Sequence, residues 1–276
     1  GNDNPFDEAK VLVFYAWSMP HNIPENYWLA RLTNHEKHQV TELFQRRIET
    51  RKPAAYLTGE AWFAGLKFIV NENSLVPRSP IAELIANRYV PWVDADEVTD
   101  VLDLCTGSGC IGIASLQAFP NAAVDLVDIS PEALEVAQQN IDQFGLNDFA
   151  HAIQSDLFNG LAGKQYDLIV SNPPYVDEIE MDALPEEFKQ EPELGLAAGK
   201  DGLDLVRRIL AEAPQYLKDD GVLIVEVGVS QYFVEQEYPE LPLYWFEFEH
   251  GGEGVFAIHK AELELFQEEL NARVKK

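Results

Sequence analysis

The chain predicts an α/β protein: a mostly parallel sheet covered by helices, reached from a small helical N-terminal domain through a β-hairpin linker. Two observations carry this expectation. From Thr99 onward, short apolar runs of strand character alternate with helical runs, the order that builds a parallel sheet. Before Thr99 the period is first helical, then aromatic and β-branched around Gly65. The expected division is a helical unit over 1–54, a hairpin over 55–78 and the sheet domain over 79–276.

Residues 6–17 carry apolar spacing compatible with an amphipathic helix, and Thr33-Asn34-His35-Glu36 opens a second with a capping-box pattern ahead of Val40, Leu43, Phe44 and Ile48. The stretches 55–62 and 66–70 read as the two hairpin strands. Ser79 as N-cap and Pro80 at the first helical position start a helix through Leu84 and Ile85. Strands are then expected at 101–104, 124–127, 168–170 and 222–227, with a third parallel strand ending near Asp156. Helices are expected at 111–119, 131–144 (stopped by Gly145) and 202–217, and an antiparallel pair at 243–248 and 254–259 closes the sheet. No internal repeat or low-complexity tract appears.

Length and composition narrow the function classes. With 276 residues and 46% hydrophobic content the chain supports a full core and is not disordered throughout. No apolar run approaches the roughly 18 residues of a membrane span, and the N-terminus has no basic-then-apolar leader pattern. Cys105 and Cys110 are the two cysteines, too few for a disulfide framework or a four-cysteine zinc site, so a reducing cytoplasm is expected and packing is their expected role. His35 and His38 lie one helical turn apart with no third ligand in view, and no metal is expected. Residues 1–95 hold 11 acidic and 10 basic side chains (−1), whereas 96–276 hold 36 and 10 (−26), together the −27 of the whole chain. Such a field repels nucleic acid and attracts a basic partner, besides serving solubility.

Two constellations carry chemistry. In Asp103-Leu-Cys-Thr106-Gly107-Ser108-Gly109-Cys-Ile-Gly112, glycines between a strand and a helix let a ligand approach the backbone, and Asp128, ending the second strand, can accept ribose hydroxyls. Asp103, ending the first strand, is placed to receive an ammonium group, and Asp156 to accept an adenine amino group. An amino-acid end, a ribose and an adenine together describe S-adenosyl-L-methionine. The second constellation, Asn172-Pro173-Pro174-Tyr175, follows the fourth strand. Two prolines stiffen the turn and remove two backbone donors. The Asn side chain and a proline carbonyl can then hold both hydrogens of a planar NH₂ group while Tyr175 packs on it. An amide proton is too weakly acidic for a side chain to remove first, so the expected catalysis is positioning of the nitrogen.

Through these motifs the chain resembles the HemK-type glutamine methyltransferases, which methylate a glutamine side-chain amide in a protein. The resemblance rests on DLCTGSG, Asp128, NPPY, Glu191-Pro and Gly199-Lys-Asp-Gly202-Leu, and it spans nearly the whole chain. It implies a class I (Rossmann-like) methyltransferase sheet with S-adenosyl-L-methionine as cofactor and residues 1–54 as a substrate-recognition domain. Gly107, Ser108, Gly109, Asp128 and Asn172, with Thr106 in the same turn, then hold the cofactor, Leu157 lies beside the adenine, and Asn172 to Tyr175 receive the glutamine. Ala55-Tyr-Leu-Thr58, Ala61-Trp-Phe63 and Val76-Pro77-Arg78-Ser79-Pro80 look like the branch acting on large-subunit ribosomal protein L-three. The release-factor branch usually has an acid and Thr-Glu after Pro-Arg-Pro. Fewer residues precede Phe6 than in the L-three branch, so a helix upstream is expected to be missing from the numbered chain.

Arg78 has two readings, orienting substrate or pairing with a nearby acid. The main rival function is methylation of an adenine amino group in nucleic acid, since an NPPY turn also grips a flipped base. Eight acids against one lysine over 177–193, directly after the motif, oppose it. A basic ribosomal protein, free or in early assembly, is the partner expected instead. A dehydrogenase using NAD lacks a candidate hydride-transfer acid–base residue, and a non-catalytic cofactor-binding module predicts binding without turnover.

Overall fold

The computed structural model describes residues 5–19, 27 and 29–274. Positions 1–4, 20–26 and 28 of the expected helical unit lie outside the described residues. Three helices open the chain: α1 (Pro5–Ala16), α2 (Asn34–Thr50) and α3 (Ala54–Thr58). The Thr33 hydroxyl accepts the Glu36 N–H at 3.3 Å and the Glu36 carboxylate accepts the Thr33 N–H at 2.7 Å, so the capping box forms where its pattern predicts it. Leu12 of α1 buries with Ala54 and Leu57 of α3, and Glu8 pairs with Arg47 of α2 at 2.9 Å.

The first hairpin strand is shorter than expected. Residues 54–58 are helical, and strand character begins only at β1 (Glu60–Phe63), which pairs antiparallel with β2 (Leu66–Ile69). Two backbone features override the aromatic and β-branched composition. The Pro53 carbonyl accepts the N–H groups of Tyr56 and Leu57, and Gly59 ends the turn in the left-handed region at φ +71°. The hairpin does not stand apart from the sheet domain. Phe63, Phe68 and Val70 belong to the same buried cluster as Val101 and Leu126, and Phe68 meets Phe144 edge-on at 5.3 Å.

After α4 (Ile81–Ala86) the alternation unfolds as β3 (Asp100–Leu104), α5 (Cys110–Ser115), β4 (Ala123–Asp128), α6 (Pro131–Phe144), β5 (Ala150–Gln154) and β6 (Tyr166–Ser171). It continues with α7 (Glu178–Ala183), α8 (Asp204–Glu212), β7 (Leu217–Glu226), α9 (Gln231–Glu237), β8 (Tyr244–Trp245) and β9 (Val255–His259). The strands form one seven-stranded sheet in the order β5-β4-β3-β6-β7-β9-β8, in which β9 runs antiparallel to both neighbours. Two expected helices are shorter than their patterns. The run 111–119 leaves the α-helix after Ser115 through three-residue turns, and 202–217 starts late because Gly202 sits at φ +74° and ends in a 3₁₀ turn containing Pro214. Beyond residue 259, where no element is predicted, α10 (Lys260–Leu265) and α11 (Gln267–Arg273) bury Leu263 and Leu270.

Both faces of the sheet are covered, and strand parity assigns each side chain to one of two cores. Along β7, Val222 and Ile224 join the core shared with the hairpin, while Leu223 and Val225 join the core under α8. The same parity turns Asp103 and Glu226 toward the hairpin side at the carboxyl ends of their strands.

Candidate active site

The carboxyl ends of β3, β4, β5, β6 and β7 open into one cavity of about 720 Å³, within the usual size for a small-molecule site. Thr106, Gly107 and Ser108 of the glycine turn border it, together with Asp128, Asp156, Leu157, Asn172, Pro174 and Tyr175. Most of the expected site residues therefore meet around one space. Asp103, Gly109 and Pro173 do not border it.

The glycine turn is tied from below and from the side. Asp103 is fully buried; its Oδ2 accepts the Thr106 hydroxyl at 2.6 Å and the Gly112 N–H at 2.8 Å. Burial pushes its carboxyl up to about 7, against the pull of those two donors. It braces the turn from underneath, because its strand position points into the core below α5. Asp128 lies at the cavity wall, its Oδ2 accepting the Gly107 N–H at 2.9 Å and its Oδ1 the Ser130 N–H at 3.0 Å. Desolvation raises its pKa as well. Gly109 caps α5 at φ +80°, and a Cβ there would touch Leu126, Ile113 and Ala137 within 3.3 Å. Gly107 differs: at φ +56° a Cβ would meet no protein atom within 4 Å, so the turn faces open space.

At the far wall, Asp156 borders the cavity with Oδ1 held 2.7 Å from Arg208. Leu157 follows at φ +48°, and Cys105 precedes the glycine turn at φ +58°. Left-handed backbone in residues that have a Cβ costs about 1–3 kcal/mol and concentrates at ligand sites; both of these residues line the cavity.

The second motif presents an unengaged carboxamide: among the described residues no side chain or backbone group hydrogen-bonds the Asn172 side chain. Tyr175 is clamped from three sides. The Ser230 hydroxyl donates to its carbonyl at 2.8 Å, a Cβ on Gly202 would lie 2.3 Å from that oxygen, and one on Gly228 would lie 2.7 Å from the ring. Arg78 pairs with the buried Glu191 at 2.7 Å, Glu191 also accepts the Val76 N–H at 3.0 Å, and the guanidinium lies 4.7 Å over the Phe188 ring. Of the two readings of Arg78, the ion pair is the one the structure forms.

Glu226 was not anticipated at the cavity wall. It ends β7 inside the cavity wall and accepts a short hydrogen bond from the Ser79 hydroxyl. A fully apolar strand closing on an acid, Val222-Leu-Ile-Val-Glu226, is the same signal that marks Asp103 and was available in the sequence.

The residues present fit S-adenosylmethionine: a glycine turn open to the cavity, a carboxylate beside it for hydroxyls, and apolar Val127, Ile129 and Leu157 for a flat base. A seven-stranded sheet of this order with such a cavity at its carboxyl edge defines a class I methyltransferase using S-adenosyl-L-methionine. The methyltransferase small domain family matches residues 88–193. A protein of Xanthomonas campestris pv. campestris named ribosomal protein uL3 glutamine methyltransferase is 54% identical over 95% of this chain and 84% of its own length. One of the same name from Francisella tularensis subsp. tularensis is 49% identical over the same shares. The chain belongs to this family of protein glutamine methyltransferases. Among solved structures, a methyltransferase from Pyrococcus furiosus shares the fold at TM-score 0.52 and 20% identity, over 79% of this chain and 98% of its own. No helix of the described residues is long and apolar enough to cross a membrane.

Proposed function

We propose that this chain transfers the methyl group of S-adenosylmethionine to the side-chain amide nitrogen of a glutamine in ribosomal protein uL3. The observation that carries the reading is the unengaged Asn172 carboxamide on the same cavity as the open glycine turn, in a chain about half identical to named uL3 glutamine methyltransferases.

In this reading Asp128 accepts the ribose hydroxyls, the backbone from Thr106 to Gly109 lies along the amino-acid end, and Leu157 packs on the adenine beside Asp156. Asp103 sets the turn's shape from beneath. S-adenosylmethionine, when bound, would supply an electrophilic methyl to the amide nitrogen, which would give up a proton as the thioether leaves. Asn172 and the turn carbonyls hold the amide hydrogens, so the nitrogen lone pair faces the cofactor side. Tyr175, fixed by Gly202, Gly228 and Ser230, supports the plane of the carboxamide.

Residues 1–54 serve as the substrate-recognition unit, 55–78 as the linker and 79–276 as the methyltransferase domain. A groove of about 1670 Å³ beside α1 and α2 supports this, since it shares Val76, Pro77, Arg78, Pro185 and Phe188 with the cavity. The acidic character of 96–276 favours a basic protein met in the cytoplasm, free or in early assembly, over ribosomal RNA.

The test incubates the full chain with labelled cofactor, purified uL3 and, in a parallel arm, release factors, and locates the product by mass spectrometry. Methylglutamine in uL3 is the expected result; product confined to release factors, or none, overturns the reading. Asn172→Ala is expected to lower the rate by roughly 10²-fold or more while calorimetry shows cofactor affinity nearly unchanged.

A further inference from the structure

Glu226 is a buried acid in the wall of the substrate side of the cavity, and neither the cofactor nor the amide grip accounts for it. Its setting is assembled from three distant segments. The Ser79 hydroxyl, at the entrance to α4 and 147 residues away in sequence, donates to Glu226 Oε2; the same hydroxyl accepts the Ile81 N–H at 3.1 Å and so fixes the helix start. The Tyr175 hydroxyl, on the turn after β6, lies close enough to the same carboxyl to favour its charged form. Gly228, two residues further along the chain, lies against the Tyr175 ring, where an added Cβ would fall 3.1 Å from the hydroxyl oxygen. Tyr175 thus has its backbone clamped by one set of groups and its hydroxyl addressed by another, and the second set converges on Glu226.

We propose that Glu226 is a positioning residue for methyl transfer: held by Ser79, its carboxylate accepts the Tyr175 hydroxyl and locks that ring against Gly228, beside the Asn172 and Pro174 wall that receives the amide. The proposal rests on the glutamine-methyltransferase reading and deepens it. The ionised carboxylate is the stronger acceptor for both hydroxyls, whereas the protonated form must also place an O–H of its own among them. The lock is therefore tightest in the charged state. Burial opposes that state while the Ser79 hydroxyl and then Arg78 favour it, leaving the group at about 7. The facing groups are Ser79 and Arg78 from the segment before α4 and Tyr175 from the turn; the β9 partner, Val255, is apolar. Arg78 is in turn neutralised by Glu191 at 2.7 Å.

The experiment measures kcat, KM for uL3 and cofactor affinity across pH about 6–8.5 for the full chain and for Glu226→Gln, Ser79→Ala, Tyr175→Phe and the Glu226→Gln/Tyr175→Phe pair. Wild-type kcat is expected to rise through a limb near 7, where burial is balanced by the Ser79 hydroxyl and Arg78. Glu226→Gln should flatten the limb and lower kcat by roughly 10–10²-fold, as a displaced aligning group does, with cofactor affinity within about twofold. Ser79→Ala should move the limb, and the double variant should be no slower than the slower single, since both act through one contact. A Glu226→Gln enzyme with wild-type kcat, an unchanged limb in that variant, or losses that multiply in the pair would overturn the inference. Should Glu226→Gln fail to fold, Ser79→Ala with an unmoved limb overturns it equally. Absence of methylglutamine with the wild-type chain overturns the underlying reading, whereas product without the expected coupling overturns only the role of Glu226.

Discussion

Asp128 shows how one side chain can brace a turn and still border the cavity. Each of its oxygens accepts a backbone N–H, from Gly107 and from Ser130, and each keeps a lone pair for the cavity. Glu226 and Asp103 trade stability for placement more directly. Both have folded pKa values near 7, raised from the ordinary carboxylate range by burial. A raised carboxylate contributes stability that is fully present below its unfolded pKa and is lost as pH rises through the folded value. Glu226→Gln removes that loss. Its thermal midpoint without ligand is expected to equal or exceed the wild type's at pH about 8, with the advantage shrinking toward pH about 5; a midpoint well below wild type at pH 8 would show that the charged form is structurally required. A variant more stable and less active at the same pH would mark Glu226 as kept for the reaction rather than for the fold.

At the scale of elements, α6 is the hinge between hairpin and cofactor turn. Its Asn140 is fully buried, accepts the Ile69 N–H at 2.7 Å and donates to the carbonyls of Ile69 and Ser108, both at 2.9 Å. Asn140→Ala leaves those backbone groups unpaired, and each buried orphan costs about 1–3 kcal/mol. The expected result is a loss of at least about 2 kcal/mol in denaturant unfolding, together with weaker cofactor binding, since β2 and the glycine turn lose their common tie. The ends of α6 itself were legible in the sequence. Ser130 caps the Ala133 N–H, Pro131 takes the first turn and Gly145 closes at φ +67°, all signals carried within a few residues. The short α3 was not legible, because Tyr56, Leu57 and Thr58 have strand composition and the outcome was decided by Pro53 and Gly59 on either side. The site divides in the same way. Asp128, Asn172 and Tyr175 announce themselves by local motif. Glu226 gains its meaning from Ser79, and Asp103 loses its place at the cavity wall to strand parity and to Gly112, whose Cβ would sit 2.3 Å from Leu126. Those facts exist only once the chain has returned on itself.

For the molecule as a whole, charge is organised by region. Residues 1–95 are close to neutral while the remainder carries −26, and the segment after the Asn172–Tyr175 turn borders the cavity through Glu180, Pro185, Phe188 and Leu194. A basic substrate is drawn to such a surface over distances that salt shortens, the screening length falling from about 10 Å at 0.1 M to about 3 Å at 1 M. The value of kcat/KM for uL3 is expected to fall roughly tenfold or more between low salt and about 0.5 M, with cofactor affinity nearly constant. A salt-independent kcat/KM would mean that apolar docking alone brings the substrate in.

The excursion over 177–195 leaves and rejoins the body at one place. Val176 donates to Leu196 O at 2.9 Å, and Ala198 donates to Val176 O at 3.0 Å. An insert whose two feet stand side by side can be lengthened, shortened or exchanged with little change to the register of the strands beneath it. Such a scaffold can keep its methyl donor and its amide grip while its clientele diverges.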